Sequence, residues 1–233
     1  MSTVRHIVWD WNGTLFDDQR LVLEATNASA RAVGVVRDIT NEEYQRGYRR
    51  PIQEFYHGLL GFYPSDEQWL VLNEAFVATY EVGKHSIGLN PEAMAAMDGW
   101  APRSQSLLSM YGHDELIEVT GGLGLHTRLV RIDGRPPEHD FGPKDKYLAR
   151  HFAQLQTHYP DLQPDEIALI GDCVDDAHAA VHLGAAAVLY TGGSSDRENL
   201  AQAGVPVVGS LLEAVSLLGD LSDGATVGLS TSL

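Results

Sequence analysis

The sequence predicts an α/β fold in which helices cover both faces of a parallel β-sheet. Short apolar runs, each as long as a buried strand, alternate with longer stretches that have helical periodicity and helical end signals. Residues 17–88, which follow the first run, show only helical patterns. Together these observations predict a sheet domain into which an all-helical segment is inserted.

Six apolar runs are the predicted strands: residues 5–9, 105–109, 127–132, 166–171, 185–190 and 205–208. Pro206 has no amide hydrogen for a ladder, so the last strand is expected at an edge of the sheet. Residues 144–158 and 176–183 are predicted helices, and Gly184 follows the second one where a C-cap glycine is typical. The pattern Ser195-x-x-Glu198 has the spacing of a capping box and predicts a further helix start.

The inserted segment begins its helices with recognisable signals. Thr40-x-x-Glu43 and Ser65-x-x-Gln68 are capping-box patterns. After the second box, four apolar residues recur at the spacing of one helix face: Trp69, Leu72, Phe76 and Tyr80. The predicted division is therefore a helical domain at residues 17–88 and a sheet domain at residues 1–16 and 89–218. The Ser-, Gly- and Thr-rich residues 219–233 are predicted to form a flexible tail.

Composition narrows the possible partners. The net charge of −16 argues against nucleic acid and against an anionic membrane surface as partners. No apolar run reaches the roughly 18 residues that a membrane-spanning helix needs. A single cysteine, Cys173, cannot form an internal disulfide, and the first residues lack the apolar stretch of a signal peptide, so a cytoplasmic setting is expected. Nothing in the sequence indicates an oligomeric state.

Polar residues stand where four predicted strands end. Asp10 ends the first strand, Ser109 ends the second, Lys144 opens the helix after the third, and Asp172 and Asp176 follow the fourth. Ligands of open parallel sheets bind beyond these carboxyl ends, so one shared pocket is expected. Several carboxylates in one pocket repel each other unless a cation lies among them, and Mg²⁺ suits such hard oxygen ligands. The lysine and the hydroxyl could then bind phosphoryl oxygens.

These residues resemble, in order, the four motifs of the haloacid dehalogenase-like hydrolase superfamily. The motifs are Asp-x-Asp-Gly-Thr, matched with one change at residues 10–14, a strand-terminal Ser or Thr at Ser109, a lysine at Lys144, and Gly-Asp-x-x-x-Asp at residues 171–176. The inserted segment resembles the helical cap of the phosphoglycolate-phosphatase-like branch. The similarity extends over about residues 5–218. It implies a Rossmann-like core with a helical cap, and a Mg²⁺-dependent hydrolase of a small phosphorylated metabolite.

The resemblance also implies a metal site and a nucleophile. Asp10 would attack phosphorus and become an aspartyl-phosphate. The carboxylates of Asp10 and Asp172 and the backbone carbonyl of Asn12 would bind Mg²⁺, and Asp176 would bind it directly or through water.

The remaining motif residues are implied to hold the phosphoryl group. Ser109 and Lys144 would bind its oxygens, with Lys144 preferred to Lys146 because Pro143 precedes it at the expected helix start. Gly13 would let the backbone amides approach an anion, and Thr14 would brace the loop.

Asn12 is the one departure from the family pattern. The family's second aspartate protonates the leaving group and activates water, and general acid–base catalysis of this kind contributes roughly 10²–10⁴-fold. An amide cannot exchange a proton at neutral pH. Three readings stay open: turnover of substrates with good leaving groups, a proton supplied by His113 or by a cap residue, or binding with little turnover. Retained hydrolysis is favoured because every other motif position is intact.

Other functions of the same superfamily are alternatives. A metal-independent haloacid dehalogenase would attack carbon with the first aspartate, although the acidic fourth motif disfavours this. A phosphonatase would need a cap lysine, and Lys84 is the only one before Lys144. Within the cap, Arg49 and Arg50 could bind a substrate phosphate or carboxylate, or could form an ordinary solvated pair. Four nearby aromatic residues are predicted to form cap core rather than substrate surface: Tyr44, Tyr48, Phe55 and Tyr56.

Overall fold

The computed structural model describes residues 3–137 and 143–222. Within these residues six strands form one sheet in the order β3-β2-β1-β4-β5-β6. The strands are His6–Trp9 (β1), Ser104–Gly112 (β2), Ile132–Arg135 (β3), Ile167–Gly171 (β4), Ala186–Tyr190 (β5) and Val207–Val208 (β6). All neighbouring strands are parallel, which confirms the predicted fold class.

The third strand lies further along the chain than the sequence predicts. The apolar run at residues 127–132 ends where β3 begins, and Leu125–Thr127 is a 3₁₀ helix. β3 is an edge strand that is only partly buried, so it carries polar residues such as Asp133, which a search for apolar runs overlooks. The short β6 lies at the opposite edge, as Pro206 predicts.

Helices cover both faces of the sheet. On one face lie α5 (Ala93–Trp100), α6 (His113–Gly122) and α10 (Leu211–Ser222), and on the other α7 (Lys144–Leu155), α8 (Val174–Leu183) and α9 (Arg197–Ala201). In β1, Ile7 and Trp9 pack into the first layer and Val8 into the second. This central strand reads as a continuous apolar run because both of its faces are buried.

Four helices form the cap: α1 (Gln19–Ala32), α2 (Asn41–Gly47), α3 (Ile52–Leu60) and α4 (Asp66–Gly83). Both predicted capping boxes are present, at Thr40 and at Ser65. Tyr44, Phe55 and Tyr56 are buried in a separate apolar core, with Trp69 partly buried against it. The cap therefore has a hydrophobic core of its own.

Two antiparallel linkers connect the cap to the sheet. Phe16 bridges Leu89, the amide of Asp17 donates to the carbonyl of Gly88 (3.1 Å), and the amide of Asn90 donates to the carbonyl of Leu15 (2.8 Å). The chain thus leaves and re-enters the sheet domain at one place. This junction lies directly beside the residues that follow β1, so the cap is attached next to the predicted site.

Two predictions for the last elements need adjustment. α9 is capped by Asp196, which accepts from the amide of Asn199 (2.9 Å), and not by Ser195. α10 extends to Ser222, so residues 219–222 of the predicted tail are helical, and residues 223–233 lie outside the described residues. Within the described parts of the chain, no helix combines the length and the apolar character that a bilayer crossing requires.

Candidate active site

The polar residues at the strand ends meet in one cavity between the sheet domain and the cap. The cavity has a volume of about 80 Å³. This is room for several water molecules or for a phosphoryl group. The predicted site residues that line it are Asp10, Asn12, Arg50, Ser109, Lys144, Asp172 and Asp176.

Lys144 joins two of the carboxylates. It is the first residue of α7, and its ammonium donates to Asp10 and to Asp176 (2.5 Å). All three side chains are buried. We call Asp10, Asp172, Asp176 and Lys144 the acidic cluster. The cluster therefore has three carboxylates and one ammonium, and Asp172 is not paired with that ammonium.

Asp172 lies next to Asp10 because β1 and β4 are neighbours. The amide of Asp10 donates to the carbonyl of Ile170 (2.8 Å), which aligns the two strand ends. Asp172 Oδ2 accepts from the amide of Ser194 (2.5 Å). Gly13 adopts a positive φ of 69°, and a Cβ there would overlap Asp172 Oδ2. Glycine is therefore required at this position for both its backbone conformation and its lack of a side chain.

Burial and charge shift the protonation equilibria of the cluster. Burial raises the pKa of Asp10 to about 6 even though Lys144 favours its ionised form. Burial also raises the pKa of Asp172 well above its usual range, and the charge of Asp10 adds to this. Burial alone would lower the pKa of Lys144, but Asp10 and Asp176 raise it above its usual range. The cluster holds more negative charge than its one lysine neutralises.

Asp176 organises the turn that carries Asp172. Its Oδ2 accepts from the amides of Asp172 and Cys173 (3.1 Å each), while Oδ1 accepts from Lys144. Burial would raise the pKa of Asp176, but the charge of Lys144 and the hydrogen bonds from Lys144 and Cys173 together lower it. Asp176 is therefore an ionised anchor for Lys144. A metal ion at Asp176 would have to share the carboxylate with these donors or bind it through water.

Asn12 faces the cavity but is held from behind by a buried carboxylate. Its Nδ2 donates to Asp18 Oδ2 (2.7 Å) and to the hydroxyl of Tyr80 (3.1 Å). The Tyr80 hydroxyl donates in turn to Asp18 (2.7 Å), and the amide of Gly13 donates to the other Asp18 oxygen (2.8 Å). Tyr80 belongs to α4 of the cap, so this contact links the cap to the first motif.

The remaining predicted phosphate-binding residues differ in their placement. Ser109 lines the cavity, and its Oγ accepts from the amide of Tyr111 (3.0 Å). The amide of Gly13 is already bonded to Asp18 and does not face an anion site. Thr14 is fully buried, and within the described residues its Oγ1 has no hydrogen-bond partner. The hydroxyl of Thr14 therefore makes no hydrogen bond that would brace the loop, and its predicted role stays a prediction.

Only one of the two cap arginines lies at the cavity. Arg50 lines the cavity and pairs with Asp175 at 3.1 Å. Arg49 does not line it: its guanidinium donates to the carbonyl of Glu54 (3.0 Å) and stays within the cap. Tyr48 also lines the cavity, so one of the four predicted cap-core aromatic residues faces the site.

Three weaker candidates lie elsewhere. His113 begins α6, accepts from the amide of Gly134 (3.1 Å) and lines a different cavity, so it cannot supply a proton at the acidic cluster. Lys84 pairs with Glu81 and Glu115 beside the cap linker and does not line the cavity. Lys146 is exposed. Lys144 alone of these lysines occupies the site.

Sequence reasoning missed several residues of the site: Tyr48, Met110, Cys173, Asp175, Ser194 and, behind Asn12, Asp18. Three of them have a signal in the sequence: Cys173 and Asp175 lie within the fourth motif, and Asp18 belongs to an acidic pair that follows the first motif. Ser194 follows β5, and its backbone amide is the contacting atom, so its residue type carries no information. Cys173 donates to Asp176, and burial raises the pKa of its thiol well above the usual range, which makes it a poor nucleophile.

The sheet topology and the acidic cluster define the class of the protein: an α/β domain with a helical cap over an acidic pocket at the strand ends. Residues 143–214 match the family model described as HAD-hydrolase-like, where HAD stands for haloacid dehalogenase. This match includes the third and fourth motifs. No protein among the curated sequences matches the chain.

Solved structures extend the likeness over nearly the whole chain. A haloacid dehalogenase-like hydrolase from Streptococcus pneumoniae is 19% identical, with a TM-score of 0.75, over 93% of this chain and 99% of that one. A predicted phosphatase from Clostridium acetobutylicum is 15% identical, with a TM-score of 0.75, over 94% and 100%. A predicted phosphoglycolate phosphatase from Haemophilus somnus is 15% identical, with a TM-score of 0.67, over 93% and 99%. The chain has the haloacid dehalogenase-like fold, which confirms the resemblance that the four motifs indicate.

Proposed function

We propose that this protein is a Mg²⁺-dependent phosphatase that hydrolyses a small phosphorylated metabolite, with Asp10 as the nucleophile. The acidic cluster carries this proposal, since three buried carboxylates line a cavity with room for a phosphoryl group and only two of them pair with its one ammonium. Two of the solved structures with this fold are named as predicted phosphatases. We propose phosphatase activity for this chain because its own cavity contains the acidic cluster.

The donor set of the cluster fits a hard divalent cation. Formal charges of −3 from the carboxylates and +1 from Lys144 leave an excess of negative charge that burial makes costly. Carboxylate and carbonyl oxygens are the ligands that Mg²⁺ prefers. Asp10, Asp172 and the backbone carbonyl of Asn12 would hold the ion, with Asp176 bound through water. The bound ion would supply positive charge that reduces repulsion between the nucleophile and the phosphoryl oxygens.

Asp10 carries out the covalent step. One carboxylate oxygen attacks phosphorus, and the bond to the leaving oxygen breaks as that oxygen takes the electron pair. Water then attacks the aspartyl-phosphate, which releases inorganic phosphate and regenerates Asp10. Lys144 holds Asp10 in place and remains charged, so it can neutralise charge on the transferring group. β2 continues to Gly112, three residues beyond the predicted end at Ser109, and Ser109 Oγ can donate to a phosphoryl oxygen.

The substrate is small and needs a good leaving group. The cavity lies between the sheet domain and the cap, so opening of the cap would admit a substrate and closing would shield it from water. Asn12 cannot protonate the leaving oxygen. Acyl and aryl phosphates, whose leaving groups depart without a proton, fit this site better than alkyl phosphates. Arg50, at the cap side of the cavity, can bind a second anionic group of the substrate.

Release of inorganic phosphate from acyl, aryl and alkyl phosphates, with Mg²⁺ and with EDTA, tests the proposal. We expect Mg²⁺-dependent release that is fastest for acyl and aryl phosphates. Asp10→Asn should lower kcat by at least about 10³-fold, as loss of a nucleophile does. Asp17→Asn is the matched control, because Asp17 is exposed in the loop after the same motif.

Three outcomes would overturn the proposal. Tight binding of phosphorylated ligands without turnover would indicate a binding module. Halide release from haloacids in the presence of EDTA would indicate a dehalogenase. Phosphate release that survives Asp10→Asn would place the nucleophile elsewhere.

A further inference from the structure

Both N–H groups of the Asn12 amide are directed at partners behind the cavity. Nδ2 lies 2.7 Å from an Asp18 oxygen and 3.1 Å from the Tyr80 hydroxyl. Within the described residues, Oδ1 has no hydrogen-bond partner, although Asn12 lines the cavity. Since the oxygen lies opposite the nitrogen on the same planar amide, Oδ1 is the atom that faces the substrate space.

Asp18 is built to fix that orientation. It is 1% exposed and does not line the cavity, so it has no direct access to a substrate. Three donors converge on its carboxylate: the side-chain amide of Asn12, the backbone amide of Gly13 and the hydroxyl of Tyr80. A carboxylate that accepts from three sides excludes the flipped amide, because a flip would bring Asn12 Oδ1 against an Asp18 oxygen.

We propose that Asp18 is a positioning residue that holds Asn12 with Oδ1 towards the cavity, where it accepts a hydrogen bond from the water that attacks phosphorylated Asp10. The water oxygen forms the new bond to phosphorus, the bond to Asp10 breaks, and the proton leaves with the phosphate product or to solvent. Asn12 thus orients the water without exchanging a proton. This assignment rests on the proposed phosphatase function for its kinetic consequences.

This arrangement predicts what happens when the aspartate of the family pattern is placed at position 12. Asn12→Asp alone would place two carboxylates at the 2.7 Å contact that an amide and a carboxylate now make. The two carboxyl groups would either move apart or share one proton between them, and neither outcome presents a proton to the leaving group, so the single substitution should not create an efficient general acid. Adding Asp18→Asn restores a hydrogen bond between positions 12 and 18, in which the amide at position 18 donates and the carboxylate at position 12 accepts. This double variant should therefore also turn over alkyl phosphates.

The kinetic test compares four variants on an aryl phosphate. Asp18→Asn should lower kcat about 10- to 100-fold, the size of one hydrogen bond to a charged group, with KM within about twofold. Asp17→Asn should match the wild type, because its side chain is exposed one residue away. Asn12→Asp should also lose activity. The double variant Asn12→Asp/Asp18→Asn should recover at least tenfold over either single variant.

A second readout does not depend on turnover. In ¹H–¹⁵N spectra of the full chain, the Asn12 side-chain NH₂ signals, assigned by their loss in Asn12→Asp, should exchange slowly with solvent. Asp18→Asn should speed this exchange, and Asp17→Asn should not. If the wild type hydrolyses no phosphate ester, the proposed function fails while this measurement still decides the position of the amide. Unchanged exchange in Asp18→Asn, or losses that simply add in the double variant, would overturn the assignment of Asp18.

Discussion

Two buried polar groups of side chains lie close to β1 and differ in how their charges are balanced. The acidic cluster lies beyond the end of β1, at the carboxyl edge of the sheet. The second group, which we call the histidine network, crosses β1 and β2 towards β3 and α7, and consists of His6, Ser104, Ser106, His151 and Asp133. Both groups are largely shielded from solvent, yet only one is satisfied by its own residues.

The histidine network pairs every donor with an acceptor. Ser104 donates to His6 (2.8 Å), His6 donates to Ser106 (2.7 Å), Ser106 donates to His151 (2.8 Å), and His151 donates to Asp133 (2.7 Å). This direction follows from the acceptor-only carboxylate at its end. Arg131 neutralises Asp133, and both imidazoles are uncharged in this scheme. Asp133 and His151 line a separate cavity of about 230 Å³, but their hydrogen-bonding groups are already paired within the network.

The acidic cluster cannot be balanced in the same way. Of its three carboxylates, only Asp10 and Asp176 contact the one ammonium, and the cavity beside them is open to a ligand. Burial of polar groups therefore does not by itself indicate a ligand-binding site. A complete set of hydrogen bonds stabilises the fold, whereas an excess of one charge beside a cavity calls for a ligand of the opposite charge.

The strongest test of this difference removes the one cation of the acidic cluster. Lys144→Met should lower the free energy of unfolding by about 3–5 kcal/mol in EDTA, because it leaves buried carboxylates without a partner. Urea denaturation at neutral pH measures this change. Lys146→Met, two residues along the same helix and exposed, should stay within about 0.5 kcal/mol of the wild type. Equal losses in the two variants would show that the cluster holds no unbalanced charge.

The histidine network should make the free energy of unfolding depend on pH. Burial, with a smaller contribution from His151, lowers the pKa of His6 to about 3. The unfolded chain, with a histidine pKa of about 6.5, therefore binds the proton first, and stability is lost as the pH falls below about 6.5. Between pH 7.5 and pH 5 this loss amounts to about 2 kcal/mol for His6.

Denaturation curves of the wild type and of His6→Gln across this pH range measure the loss as a difference in slope. The site carboxylates are the same in both proteins, so their titration cancels. The exposed His85→Gln should keep the wild-type slope. A His6→Gln variant that loses stability in acid as steeply as the wild type does would mean that His6 is not held neutral.

The same contrast explains what the sequence could predict. Local motifs in the sequence predict the acidic cluster, because each of its residues lies just after a strand or in the first turn of a helix. The histidine network has no such signal: His6 is 100 residues from Ser106, and Ser106 is 45 residues from His151. The register of β1 against β2 pairs His6 with Ser104, and the packing of α7 on the sheet brings His151 to Ser106.

Errors in the prediction have the same origin. β3 was misplaced because an edge strand does not need an apolar run, and Asp133 within it is held by long-range contacts. Asp18 was overlooked because its role depends on a hydrogen bond from Tyr80, which lies 62 residues away in the cap. Sequence reasoning could not choose between Arg49 and Arg50, since the turn before α3 decides which guanidinium faces the cavity.

The smallest expected effect concerns two arginine–aspartate pairs, one beside each group. Arg50 pairs with Asp175 at the cavity, and Arg131 pairs with Asp133 in the histidine network. If the acidic cavity takes an anionic substrate, Arg50 should contribute to binding and Arg131 should not. Arg50→Met should raise KM about 10-fold, which corresponds to about 1.4 kcal/mol, with kcat within about twofold.

Steady-state kinetics with the best aryl or acyl phosphate measures this effect. Arg49→Met is the matched control, because Arg49 adjoins Arg50 but bonds only within the cap. Arg131→Met should leave KM unchanged and lower stability instead, since it removes the partner of a buried hydrogen-bonded carboxylate. A rise in KM in Arg49→Met or Arg131→Met equal to that in Arg50→Met would mean that overall charge, and not the position of Arg50 at the cavity, attracts the substrate.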